Sequence, residues 1–151
     1  MQTAQTLKAR RIYISANADV QDALIKIFGD TIIQKTTAIV KSFLDACELT
    51  GINAFDEKFT SGEPDEIAHR KLKVIAEALN DGWQPDWDNK SEEKHYPWFY
   101  MGSAGAGFRL GGCVFDFDAS RVGSRLVFRS RELAMYAATQ FLDLYKDYYT
   151  A

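Results

Sequence analysis

Cysteine is almost absent from this sequence: among 151 residues only Cys47 and Cys113 occur, far apart along the chain. That scarcity excludes a disulfide framework as the organising device and predicts two buried thiols in a reducing compartment. Histidine is equally sparse. His69 and His95 form no close pair at ligand spacing, with each other or with the cysteines, so no metal site is read. Long apolar runs are missing too, none approaching the roughly 18 residues of a membrane span. The segment Met1-Gln2-Thr3-Ala4-Gln5 lacks the apolar core of a secretory signal, and the expected location is the cytoplasm, away from any membrane. Nor does one sign of charge dominate. Lys plus Arg number 18 and Asp plus Glu 21, a formal charge of -3, so the chain has no global basic field for gripping duplex nucleic acid through many phosphates. Internal repeats, heptads and low-complexity tracts are also lacking.

What is present is ample apolar material, 46% of residues, enough for one sizeable core in a single domain spanning 1–151. Lys8 to Ser15 contains the β-branched run Ile12-Tyr13-Ile14, a strand signal, after which Asn17 or Asp19 caps a helix through Phe28, stopped by Gly29. From Thr36 or Thr37, apolar positions Ile39, Val40, Phe43, Leu44 and Cys47 recur at helical steps up to Gly51, predicting one amphipathic helix. Residues 53–63 have loop composition, with Phe55 and Phe59 as pins. Pro64 suits the first turn of a further helix with the stripe Ile67, Leu72, Ile75, Ala76 and Leu79, ending at Asn80-Asp81-Gly82.

The chain then changes character. Pro85 prevents helix continuation, making Trp83-Gln84-Pro85-Asp86-Trp87 a turn with two large anchors. Extended runs follow at Tyr96–Met101, Cys113–Asp118 and Ser124–Phe128. Ser130 caps a closing helix with Glu132 in its first turn and Leu133, Ala137, Phe141, Leu144 and Tyr148 on its buried face. The predicted fold class is α+β: N-terminal helices, a small antiparallel sheet of three or four strands, and a long C-terminal helix packed on the sheet. Leu133, Phe141 and Leu144 should meet Leu126 and Phe128, with Arg125, Val127 and Arg129 on the solvent side.

Two stretches carry a resemblance. The string from Ala76 to Trp87, followed by Tyr96-Pro97-Trp98-Phe99, and the ending Val122-Gly123-Ser124-Arg125-Leu126-Val127-Phe128-Arg129-Ser130-Arg131-Glu132-Leu133-Ala134 with Tyr136-Ala137, are similar to a family of short uncharacterised proteins encoded by gut anaerobes and their phages and prophages. The likeness covers about residues 40–150. It leaves 1–34 as a variable N-terminal part and departs most over Gly102–Ala119, where family members vary in length. It implies a phage-related setting and nothing catalytic.

Each chemical motif has a plainer reading beside it. Gly105-Ala106-Gly107-Phe108-Arg109-Leu110-Gly111 has the wrong spacing and the wrong flanking elements for a dinucleotide loop, so it is read as a glycine-rich hairpin. Asp86 with Asp88, and Asp116 with Asp118, are carboxylate pairs that could hold a hard cation or supply an acid and a base, yet such pairs are common on solvated edges. Ser124, Ser130 and Cys113 have no partner histidine, and no cofactor motif is found. Aromatics and arginines are the richer set. Trp83, Trp87, Trp98 and Tyr100, with Arg121, Arg125, Arg129 and Arg131, form a candidate ligand surface, because π-faces beside guanidinium groups suit single-stranded nucleic acid or a nucleotide. The expected function is a noncatalytic accessory binding module for an as yet unidentified protein partner or a small nucleic-acid or nucleotide ligand. The alternative is a small enzyme using Asp86, Asp88, Asp116 or Asp118.

Overall fold

The structure is a computed structural model that describes residues 4–102 and 107–151. It is a mixed helix and sheet fold: among the described residues, seven α-helices and one two-stranded antiparallel sheet. None of the described helices is long and apolar enough to cross a membrane.

The N-terminal segment is helical throughout. α1 (Ala4–Ser15) takes in the Ile12-Tyr13-Ile14 run, against its strand signal. Tertiary contacts override local propensity there: Ala9 and Arg10 are buried, and Arg10 reaches across to Asp81. α2 (Ala18–Phe28) is capped by Asn17, whose side chain accepts from the Val20 N–H, and it stops at Gly29.

The helix expected from Thr36 to Gly51 is two helices, α3 (Thr36–Ile39) and α4 (Phe43–Thr50). Ser42 separates them. Its hydroxyl accepts from the Asp45 N–H while the Asp45 carboxylate accepts from the Ser42 N–H, a reciprocal cap that starts a new helix. Val40 turns extended at the break and is fully buried, and Gly51 ends α4 in the left-handed region. Of the two loop aromatics only Phe59 is a pin; Phe55 is 86% exposed.

α5 (Pro64–Leu79) is the central helix, burying Ala68, Leu72, Val74, Ile75, Ala76, Ala78 and Leu79. The chain leaves it through Asp81, which holds a φ of 51°, and Gly82. β1 (Lys94–Tyr100) and β2 (Arg109–Asp116) then pair as a hairpin, with a bulge between Trp98 and Phe99 where Gly111 is the extra residue. Of the glycine-rich motif, Gly105 and Ala106 lie outside the described residues, whereas Arg109–Gly111 belong to β2.

The third run, Ser124–Phe128, is not a strand. Only Phe128 bridges β1, exchanging both backbone hydrogen bonds with His95 at 2.9 and 2.7 Å. Two residues explain why pairing stops. Pro97, which would come next, has no N–H to give, and Leu126 closes a turn onto the Gly123 carbonyl instead. On the other side of this segment the Asn80 side-chain amide takes the place of a strand, donating to the Val127 carbonyl and accepting from the Arg129 N–H. Val127 is therefore buried rather than on the solvent side; Arg125 is exposed as expected.

The closing helix is also divided. α6 (Arg131–Gln140) is capped by Ser130 and packs on β1 and β2; α7 (Leu142–Thr150) packs on α5. Phe141, with φ −117° and ψ 33°, is the joint. Leu133, Phe141, Leu126 and Phe128 share one core with α4 and α5, and Leu144 packs half-buried against it.

Candidate functional site

The hairpin leaves Trp98, Tyr100 and Phe115 exposed while Tyr96 is buried. Trp98 lies across β2 because the residues opposite are Gly111 and Gly112; a Cβ built on Gly111 would stand 2.3–2.7 Å from the Trp98 ring. Gly111→Ala therefore has to expel the indole. The expected cost is about 1–3 kcal/mol, with a changed tryptophan emission spectrum; a variant as stable as the parent with unchanged emission would show that the ring is not seated there.

Between Trp98, the outer edge of β1 and α7 lies a cavity of about 530 Å³. Its walls are Tyr96, Pro97, Trp98, Phe99 and Met101 from β1 and its exit, Val114 from β2, Arg121 and Val122 from the following segment, and Tyr149 from α7. Phe99 organises the inner wall, its ring centroid 4.9 Å from that of Tyr145 and 5.6 Å from that of Tyr149. On the outer wall Trp98 meets Tyr100 edge-on at 4.9 Å, and the Arg109 guanidinium covers Tyr100 at 3.9 Å. Arg121 is the one charged side chain among the lining residues. Tyr96 donates its hydroxyl to Asp116 Oδ2 at 2.6 Å. Burial first, and then that carboxylate, push the Tyr96 phenol up to about 12, so it stays protonated.

The sequence-predicted surface is only partly assembled. Trp98 and Arg121 line this cavity, and Tyr100 stands behind Trp98, in edge-on contact with it. Trp83 and Arg125 line a separate hollow of about 20 Å³ beside Glu77. Trp87 lies under the fully buried Lys94, whose Nζ is 5.5 Å from its ring and donates to the Asn89 carbonyl. Arg129 bonds Asp81 at 3.2 Å, and Arg131 donates to the Cys113 carbonyl at 3.0 Å. The four arginines thus serve four places rather than one phosphate track.

No family model, curated protein or solved structure matches this chain. Its chemistry has to be read from its own geometry.

The carboxylate pairs do not enter the cavity. Asp86 sits in an exposed turn, accepting from the Asp88 N–H; Asp116 holds Tyr96, and Asp118 lies 3.7 Å from Lys90. Among the described residues no three of His, Cys, Asp and Glu converge on a possible cation position. Cys47 and Cys113 are buried free thiols, and burial raises both, Cys47 to about 11. The candidate ligand surface left out Tyr96, Pro97, Phe99, Met101, Val114, Val122 and Tyr149. Tyr96 and Phe99 carry a readable signal, being aromatics in the same run as Trp98, and Tyr149 is an aromatic one position off the apolar stripe of the last helix.

The titrating groups set a pH profile. Burial lowers His95, against the opposing pull of Glu93 at 3.1 Å, and burial likewise lowers His69, which stacks on Tyr148. A histidine lowered on folding binds fewer protons in the native state, so stability is full above its ordinary 6.5 and falls as pH drops below it. Cys47 and Tyr96 are raised from 9.0 to about 11 and from 10.0 to about 12, so their contribution is full below pH 9 and is lost as pH climbs past those values. Denaturation midpoints measured from pH 5 to 11 should therefore peak between about 6.5 and 9. A maximum below pH 6 would contradict the burial of the two histidines.

Proposed function

We propose that this protein is a noncatalytic binding module whose ligand seats in the Trp98–Arg121 cavity, and that it works in the cytoplasm in a phage-related setting. The observation that carries the reading is a preformed apolar cavity of about 530 Å³ with a single guanidinium at its wall, the size and make-up of a specific ligand site. A cavity lined by π-faces and one cation fits an apolar or aromatic group bearing a negative charge. The phage-related setting rests on the resemblance over residues 40–150.

The test uses the anionic aromatic dye 1-anilinonaphthalene-8-sulfonate with the full chain. One saturable site is expected, weakened about tenfold by Arg121→Ala, roughly 1.4 kcal/mol for loss of one charge-assisted contact. Trp98→Ala should weaken it as well. Binding that is not saturable, or that ignores both substitutions, would place the ligand elsewhere and remove the basis of this reading.

A further inference from the structure

The two edges of the hairpin are closed to different extents. At the outer edge of β2 the Cys113 carbonyl is taken by the Arg131 guanidinium at 3.0 Å. At the outer edge of β1, among the described residues, only His95 is engaged, by Phe128. Successive residues of a strand direct their backbone groups to opposite edges, so Pro97 and Phe99 face the same way as His95. Pro97 offers a carbonyl alone. Phe99 offers both N–H and C=O, and among the described residues neither has a hydrogen-bond partner on that side. The chain that could have covered them turns away at Gly123–Leu126, and the cavity runs along the stretch left open.

We propose that an extended acidic peptide segment of a partner protein completes the sheet here, pairing with Phe99 as a third strand. One of its apolar side chains enters the cavity and a neighbouring carboxylate meets Arg121. The proposal rests on the cavity being the ligand site and names its occupant. A donor and an acceptor side by side on one residue match another backbone, whereas a phosphate would be repelled by the carbonyl. Charge complementarity selects an acidic segment, since Arg121 is the charged residue at the wall. It also disfavours a second copy of this chain, because pairing through Phe99 would set two Arg121 guanidiniums in one groove.

A display library of random ten-residue peptides, screened against the full chain, tests this directly. Enriched peptides should carry Asp or Glu beside an apolar residue, and Arg121→Glu should shift enrichment to Lys or Arg. Methylating alternate backbone amides of an enriched peptide should weaken it about tenfold or more on one set of positions and much less on the other. Exchange of the Phe99 amide hydrogen, fast in the free protein, should slow on binding. Dye binding without any peptide that protects Phe99 sinks the strand proposal and leaves the cavity reading intact; failure of both dye and peptides sinks both. Phe99 protection in the free protein with a dimeric mass would show that a second copy is the occupant. Enrichment of single-stranded DNA in a parallel selection, competing with the dye, would assign the cavity to nucleic acid and overturn the peptide.

Discussion

Replacing Asp81 by Asn destabilises the protein by about 3–5 kcal/mol, as measured by urea denaturation, the loss expected when one partner of a buried ion pair becomes neutral. Arg10 Nε donates to Asp81 Oδ1 at 2.6 Å with both side chains 4% exposed, and Arg129 reaches Oδ2 of the same carboxylate at 3.2 Å. Arg10 also donates to the Gln34 carbonyl at 2.6 Å, so this carboxylate joins α1, the segment before α3, and Arg129 ahead of the α6 cap to the end of α5. Asparagine is the informative substitution, because Asp81 has a φ of 51°, which Asn tolerates almost as well. The backbone is thus left unstrained, and the loss reports on the charge together with the one acceptor that the amide nitrogen replaces, since both carboxylate oxygens accept from guanidinium groups. Alanine adds about 1–2 kcal/mol for the left-handed conformation. Hydrogen exchange should show α1 losing protection first, since Arg10 is its buried anchor. A loss below about 1 kcal/mol would mean that desolvation of the two charges already cancels their attraction.

Asp81 also marks the limit of what the chain reveals before it folds. Asn80-Asp81-Gly82 is legible as a helix stop, and the helix does stop there. That Asp81 would anchor an arginine 71 positions earlier, and Asn80 would stand in for a strand beside Val127, depends on long-range packing that no local pattern encodes. Periodicity found α5 and the caps at Asn17 and Ser130 because those signals are short-range. It ran α3 into α4 because the apolar spacing continues through Val40 and Phe43 while the Ser42–Asp45 cap interrupts the backbone. The sheet was overcounted for a comparable reason. Leu126-Val127-Phe128 has strand composition, but a strand needs a partner with free amides, and Pro97 withholds one. At the site, sequence brought Trp98, Tyr100 and Arg121 into one set but could not separate them from Trp83, Trp87 and three arginines already engaged by Glu77, Asp81 and Cys113.

Phe141→Ala is expected to cost about 3–5 kcal/mol, comparable to the loss at Asp81 but by a different route, since it empties space in the core rather than unbalancing charge. Phe141 is 7% exposed and belongs to the cluster that unites α4, α5, α6 and the segment Leu126–Phe128. It is also the joint where α6 ends and α7 begins: its N–H bonds the Ala137 carbonyl, and its own carbonyl accepts from Tyr145. Removing the ring loosens the seat of α7, and α7 carries Tyr145 and Tyr149 against Phe99 on the inner wall of the cavity. Stability and site are therefore coupled through one side chain. Phe141→Leu separates the two effects, because it keeps most of the volume and should cost less than Phe141→Ala while holding α7 in place. Dye affinity should follow the order parent, Phe141→Leu, Phe141→Ala, measured at a temperature where all three remain folded. If Phe141→Ala loses its stability but binds the dye as tightly as the parent, α7 does not depend on Phe141 for its position, and the inner wall of the cavity is held by the α5–α7 contact alone.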